Sequence, residues 1–309
     1  MQIALVFPGQ GSQSVGMLGP YAGHPRVRET FAEASAFLGQ DLWALVENGP
    51  EEALSQTTNT QPVMLTADVA VFRAWRASGG PSPAMVAGHS LGEYAALVAA
   101  DALSFEDALV LVRARAEAMQ RAVPEGVGGI AAILGLDEDG VRNACRDAAQ
   151  GQVVEAANLN APGQIVIAGH RPAVERAIEI AKAMGAKRAV LLAMSVPSHC
   201  SLMAGAGEAL REHLSRTNIR PPAIPVINNA DVASPQDPVA IRAALVRQLS
   251  SPVRWIESVN AMVGRGAGAI VECGPGKVLA GLVKRIAPSV ATLSLSSSES
   301  ITDAIGKLK

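Results

Sequence analysis

Ser90 stands between two glycines, each one residue removed, in the segment GHSLGEYAAL at 88–97. An apolar AMVA run precedes the segment, and the helix-forming EYAALVAA follows the second glycine. A G-x-S-x-G placed between a strand and a helix is the nucleophile-elbow pattern, in which small flanking residues allow a sharp turn that lifts the hydroxyl to the mouth of a sheet. The amide of Leu91, at the start of the new helix, points towards the same space and can help hold an oxyanion. The competing reading is an ordinary glycine-bounded turn with a helix-capping serine.

A serine nucleophile needs a base. The histidines are His24, His89, His170, His199 and His213. His89 adjoins the serine, so its side chain is expected to point elsewhere. His170 falls at a strand-to-helix turn, and His24 and His213 lie in polar stretches expected to be exposed. His199, in SVPSHCSLM, keeps company with a proline, small residues and an apolar run, which suits a semi-buried corner. It is the best candidate; a core or capping histidine is the alternative. No aspartate is clearly placed to orient it. No histidine follows His213 and no HGGG-type segment is present, which argues against a standard esterase. Something other than a carboxylate, such as a backbone carbonyl, must then fix the tautomer.

Two further stretches bear on chemistry. FPGQGSQ at 7–13 has Gly9 and Gly11, but the next glycine is Gly16, so the dinucleotide fingerprint fails. A phosphate-binding P-loop fails too, for want of Gly-Lys-Ser/Thr. Glycines there still let backbone amides approach a ligand. With the first strand beside the Ser90 strand, the Gln10 amide would be the second oxyanion donor; a plain tight turn is the equal alternative. In EDALVLVRARAEAMQ, Arg115 aligns with Ala108, Leu111, Val112 and Met119 at helical spacing, whereas Arg113 is set to pair with Glu117 at i+4. An arginine in an apolar stripe is costly without an anion. That anion is either a fixed buried aspartate or the carboxylate of a substrate; otherwise Arg115 snorkels to water.

The elements that must position these residues follow from pattern. Strand-like runs at 3–7, 84–88, 226–228, 269–273 and 291–295 alternate with helical segments, which implies a parallel sheet with helices on both faces. Between them, 129–134, 152–157, 164–168 and 186–192 read as strands, with NLNAPG linking the second and third. Helices are expected at 137–149 and 172–184. The order βαββαβ is the ferredoxin-like unit. The expected organisation is therefore a large α/β subdomain, 1–126 and 196–309, with a small one, 127–195, inserted in it.

Composition bounds the rest. Of 309 residues, 49% are hydrophobic and 17% charged, enough for a sizeable core, and the scarcity of aromatics (3%) beside abundant Ala, Val and Leu suits helices on a parallel sheet. A net charge of -2 argues against a general nucleic-acid surface. Cys145, Cys200 and Cys273 have no metal-ligand spacing and make no even disulfide set, which suggests a reducing cytoplasm. The N-terminus lacks the basic start and longer apolar stretch of a secretory signal, and no apolar run approaches membrane-span length, so no membrane association is expected.

FPGQGSQ, TQPVMLTADVAVFRAW, GHSLGEYAAL, AVPEGVGG, NLNAPGQIVIAG, VPSHCSLM, RQLSSPVRW and ECGPGKVLAGLVKR occur in order over nearly the whole chain. Together they resemble the malonyl-CoA:acyl carrier protein transacylase family of bacterial type II fatty acid synthesis. Acyltransferase domains of polyketide synthases share several of these motifs. The resemblance implies an α/β-hydrolase-like subdomain with a ferredoxin-like insert, Ser90 as nucleophile, His199 as base, and the Gln10 and Leu91 amides as oxyanion hole. It further implies that Arg115 binds the malonyl carboxylate and that the Gln248 backbone carbonyl orients the imidazole. Gln61 and Asn160 match polar residues around the site. Cys273 departs from the small or aliphatic residue usual in ECGPG and is expected to be a buried small hydrophobe.

The activity so implied is ping-pong transfer of malonyl from coenzyme A to the phosphopantetheine thiol of acyl carrier protein, with no metal or redox cofactor, by a cytoplasmic monomer. The rivals are a hydrolase that passes the acyl group to water, a polyketide acyltransferase loading malonyl or methylmalonyl, and a non-catalytic scaffold. Lys182, Lys187, Arg188 and Lys284 could form a docking patch for an acidic carrier protein, or simply a solvated face.

Overall fold

A computed structural model describes residues 1–192 and 196–308. The inner boundary expected at residue 195 and the terminal residue 309 lie outside the described residues. The first sheet holds β1 (Ile3–Phe7), β2 (Met85–Gly88), β7 (Val226–Ile227), β8 (Ala269–Glu272) and β9 (Ala291–Ser294) in the order β7-β2-β1-β8-β9. Every pairing in it is parallel. The apolar runs IALVF and MVAG are buried along their whole length because helices cover both faces. β1 and β2 end level, with Phe7 opposite Gly88, so the turns that follow them emerge side by side at the carboxyl edge of the sheet. Ligands of open α/β sheets bind at that edge.

The second sheet is antiparallel, with β3 (Gly128–Leu134), β4 (Val154–Ala161), β5 (Gln164–His170) and β6 (Arg188–Leu191) in the order β4-β5-β3-β6. With helices Glu138–Ala149 and Arg171–Ala183 this is the ferredoxin-like βαββαβ arrangement. Ala131, Ile133, Ile165 and Ile167 face those helices and pack on Val141, Val174 and Ile178. The alternate residues Ile130 and Ala168 meet Cys200, beside His199, on the other face.

Most strand ends fall within one or two residues of the expected ones, and β4 shows the instructive difference. NLNA was expected in the connection, yet Asn158–Ala161 belong to β4, and Pro162–Gly163 alone make the turn. Two register shifts, between Ala156 and Asn158 and between Leu159 and Ala161, absorb the extra residues. They break the strict alternation by which a strand is recognised in sequence. The outer edge of β4 is not left open. Leu159 N–H donates to the Val253 carbonyl and Val253 N–H to the Ala157 carbonyl, which stitches the small sheet to the segment after Gln248. No described helix is long and apolar enough to cross a membrane.

Candidate active site

The β2-to-helix turn puts Ser90 in left-handed backbone, φ 52°, ahead of the helix Gly92–Ala99. Two glycines make the turn possible by proximity. A Cβ on Gly92 would lie 2.1 Å from the Phe7 carbonyl oxygen, and one on Gly9 would lie 2.4 Å from that of His89. The turns after β1 and β2 therefore touch backbone to backbone. Gln10 and Leu91 both line the resulting cavity of about 220 Å³, and neither amide donates to another described residue. The adjacency of β1 and β2 meets the condition placed on Gln10. The Gln10 side chain turns away and donates to Thr57 Oγ1.

Ser90 Oγ lies 2.7 Å from His199 Nε2. His199 Nδ1 lies 2.9 Å from the Gln248 carbonyl, an acceptor only, so Nδ1 carries the proton and Nε2 is left bare towards the serine hydroxyl. His199 also has left-handed backbone, φ 64°, and its N–H donates to the Leu249 carbonyl. Burial, and then the charge of Arg115, drive the imidazole down to about 3, against the Gln248 carbonyl that favours its charged form. The ring is neutral near pH 7 and free to accept a proton.

Arg115 projects from the helix Phe105–Ala122 and is 1% exposed. Its Nη1 donates to Gln61 Oε1 at 2.9 Å, and its Nη2 donates to Gln248 Oε1 and to Ser90 Oγ, each at 3.1 Å. Among the described residues no carboxylate lies within ion-pair distance of the guanidinium, and Nε has no partner. Of the readings open to it, the fixed buried aspartate and the snorkel are both excluded. Arg113, expected to pair with Glu117, instead donates to the Leu38 carbonyl and Gln40 Oε1, because the neighbouring helix end offers acceptors at closer reach. Glu117 faces Arg121.

Of the remaining histidines none hydrogen-bonds to Ser90, and only His89 lines the cavity. His89 packs edge-on against Trp255 and meets Asn160 Oδ1 at 2.8 Å through Nε2. Asn160 thus lines the cavity while holding His89, and Gln61 lies behind Arg115 and Met119, accepting from the first and donating Nε2 to Sδ of the second. His24 meets Ser78 Oγ, His170 Nδ1 accepts from the Val153 N–H, and His213 closes an exposed helix end.

Two site residues escaped the sequence reading. Asn229, after β7, accepts from the Ser90 N–H at 2.6 Å and donates to the Gly88 carbonyl at 2.6 Å, bracing the elbow from both sides. Glu93, 2% exposed, accepts at Oε2 from the Asn229 N–H and from Gln248 Nε2, both at 2.9 Å. Burial pushes its carboxyl up to about 7, against those two donors and the Arg115 charge. The signal was present: a glutamate in a helix otherwise buried throughout its first two turns is out of place unless it holds something. Cys273 is fully buried, and burial raises its thiol far above the usual range, as expected of a packing residue.

Residues 4–302 match the family described as acyl transferase domain. A malonyl CoA-acyl carrier protein transacylase of Salmonella typhimurium is 53% identical over 305 residues, 98% of this chain and 99% of that protein. Its Bacillus subtilis counterpart is 45% identical over 100% and 98%. The crystal structure of an acyl-carrier-protein S-malonyltransferase from Burkholderia pseudomallei superposes with a TM-score of 0.97 at 56% identity, covering 99% of this chain and all of that one. A malonyl-transacylase solved in complex with its type II polyketide acyl carrier protein gives 0.98 at 50% identity, over 99% and 100%.

Proposed function

The chain belongs to the acyl transferase domain family, and we propose that within it the chain transfers malonyl from coenzyme A to the phosphopantetheine thiol of an acyl carrier protein, supplying fatty acid synthesis. The observation that carries this reading is a buried guanidinium, without a carboxylate partner among the described residues, 3.1 Å from a serine hydroxyl that already faces a neutral imidazole. Such a site accepts an acyl thioester bearing a second, anionic carboxylate.

In the first half-reaction His199 Nε2 takes the proton of Ser90 as Oγ attacks the thioester carbonyl. The tetrahedral oxyanion rests on the Gln10 and Leu91 amides, each worth about 3 kcal/mol in such a role. The imidazolium, held by the Gln248 carbonyl, returns its proton to the departing thiolate. The acyl group stays on Ser90 as an ester with its carboxylate on Arg115. The carrier-protein thiol then attacks, and the same steps run in reverse. The cycle calls on no metal or redox group. The acting unit is taken as a monomer, and three unpaired buried cysteines support a cytoplasmic setting.

A second reading, the same transfer onto a polyketide carrier protein, is favoured by the likeness to the transacylase solved with such a partner. Intact-mass spectrometry separates the possibilities. Incubation with malonyl-CoA should leave a persistent malonyl adduct that Ser90→Ala lacks and that holo carrier protein discharges. Fatty acid and polyketide carrier proteins offered in turn distinguish the two readings. Rapid discharge by water alone would make the protein a hydrolase.

A further inference from the structure

Arg115 must be held in one orientation for its free edge to meet a substrate, yet no carboxylate among the described residues pins it. Its nearest fixed acceptors are the side-chain oxygens of two glutamines. Gln248 can present its oxygen to Arg115 only while its amide nitrogen faces the other way. There it meets two acceptors, Glu93 Oε2 at 2.9 Å and the Ser90 carbonyl at 3.1 Å. Arg115 donates and Glu93 accepts, so the amide has one satisfactory orientation and both ends of Gln248 enforce it. The backbone carbonyl of the same residue orients His199. Glu93 itself is braced by the Asn229 N–H and is buried from solvent.

We infer that Glu93 is a positioning residue for substrate choice: by fixing the Gln248 amide it aims Arg115 at the carboxylate of the incoming acyl group. This rests on the malonyl-transfer reading above. Glu93 touches no reacting atom. Its influence passes along Glu93, Gln248 and Arg115, and what it governs is the preference for an acyl group with a terminal carboxylate over one without.

The test uses the full chain, a holo carrier protein as acceptor, and malonyl-CoA and acetyl-CoA as donors. Three variants are compared with the parent: Glu93→Gln, Glu93→Met and Gln248→Met. E93Q can place its amide oxygen where Oε2 stands and keep both hydrogen bonds, whereas E93M fills the volume and keeps neither. The malonyl-to-acetyl ratio of kcat/KM should fall about tenfold or more in E93M, the size of one charge-assisted hydrogen bond, with the loss lying mainly in the malonyl KM. E93Q should restore the ratio to within about threefold of the parent. A merely space-filling glutamate would be replaced equally well by methionine. An unchanged ratio in E93M, or a loss in E93Q as deep as in E93M, overturns the inference. Should E93M fail to fold, an unchanged ratio in Q248M overturns it as well. A parent enzyme with no preference for malonyl would instead sink the functional reading from which the inference starts.

Discussion

Removal of the Arg115 guanidinium is the sharpest test of the proposed chemistry. In Arg115→Ala the malonyl carboxylate loses a fully buried partner that can offer it two charge-assisted hydrogen bonds, each worth about 1.5–3 kcal/mol. Binding the carboxylate also displaces the contact that the guanidinium makes to Ser90 Oγ, worth about 1 kcal/mol net, while the Gln248 Oε1 contact stays to hold the guanidinium in place. The difference, about 2–5 kcal/mol, predicts a loss of roughly 30- to 5 × 10³-fold in kcat/KM for malonyl-CoA. Acetyl-CoA offers nothing to the guanidinium, so its kcat/KM should change less than about tenfold. Initial rates with both donors and one holo carrier protein give the two numbers directly. Urea unfolding of the variant guards against a trivial loss, because Gln61 and Gln248 are left with unpaired oxygens. Equal losses with both donors would show that Arg115 supports the serine and the fold, and the carboxylate-binding role would be refuted.

Other outcomes follow from single features. His199 sits at about 3 in the folded chain against about 6.5 unfolded. The unfolded chain therefore binds more protons between those values, and stability present above about pH 6.5 should be lost as pH falls, by up to about 1.4 kcal/mol per pH unit. Glu93, raised to about 7, acts in the opposite sense over part of that window, so the quantity to read is the difference in urea midpoint between the parent and His199→Asn across pH 4–7. Equal slopes would refute the burial argument. Asn229→Ala strips partners from the Ser90 N–H and the Gly88 carbonyl at about 1–3 kcal/mol each; denaturant unfolding should show the loss, and slower acylation of Ser90 by malonyl-CoA should accompany it. Gly92→Ala drives a methyl to 2.1 Å from the Phe7 carbonyl, and soluble expression at the parental level would contradict the described turn. Cys145, Cys200 and Cys273 are all buried, so a thiol reagent should titrate none in the native protein and all three after denaturation.

The parts of the site written in adjacent residues were legible in the sequence. GHSLG declares a turn through its glycines, and Arg115 stands out because it interrupts an apolar stripe. His199 could be ranked above four other histidines, but nothing local to it reveals that the Gln248 carbonyl, 49 residues away, accepts a hydrogen bond from its Nδ1–H. Asn229 is 139 residues from Ser90 and is joined to it only by the pairing of β7 with β2. A two-residue strand leaves almost no periodic trace. Glu93 stands out as a charge in an apolar helix, but its partners Asn229 and Gln248 are 136 and 155 residues away. The true extent of β4 was hidden by its bulges, and its seam with Val253 is a backbone contact that no side-chain pattern encodes.

Five non-glycine residues among those described have positive φ, and two of them are Ser90 and His199. A side chain kept in that region costs about 1–3 kcal/mol that glycine would not incur. The two residues proposed to carry turnover thus sit where the backbone, taken alone, would favour glycine. A population drifting under heat selection, with no demand for turnover, should exchange Ser90 first, because the buried imidazole of His199 also holds that residue in place. A library sorted only by melting temperature would enrich glycine at position 90 and deliver sturdier, inert proteins.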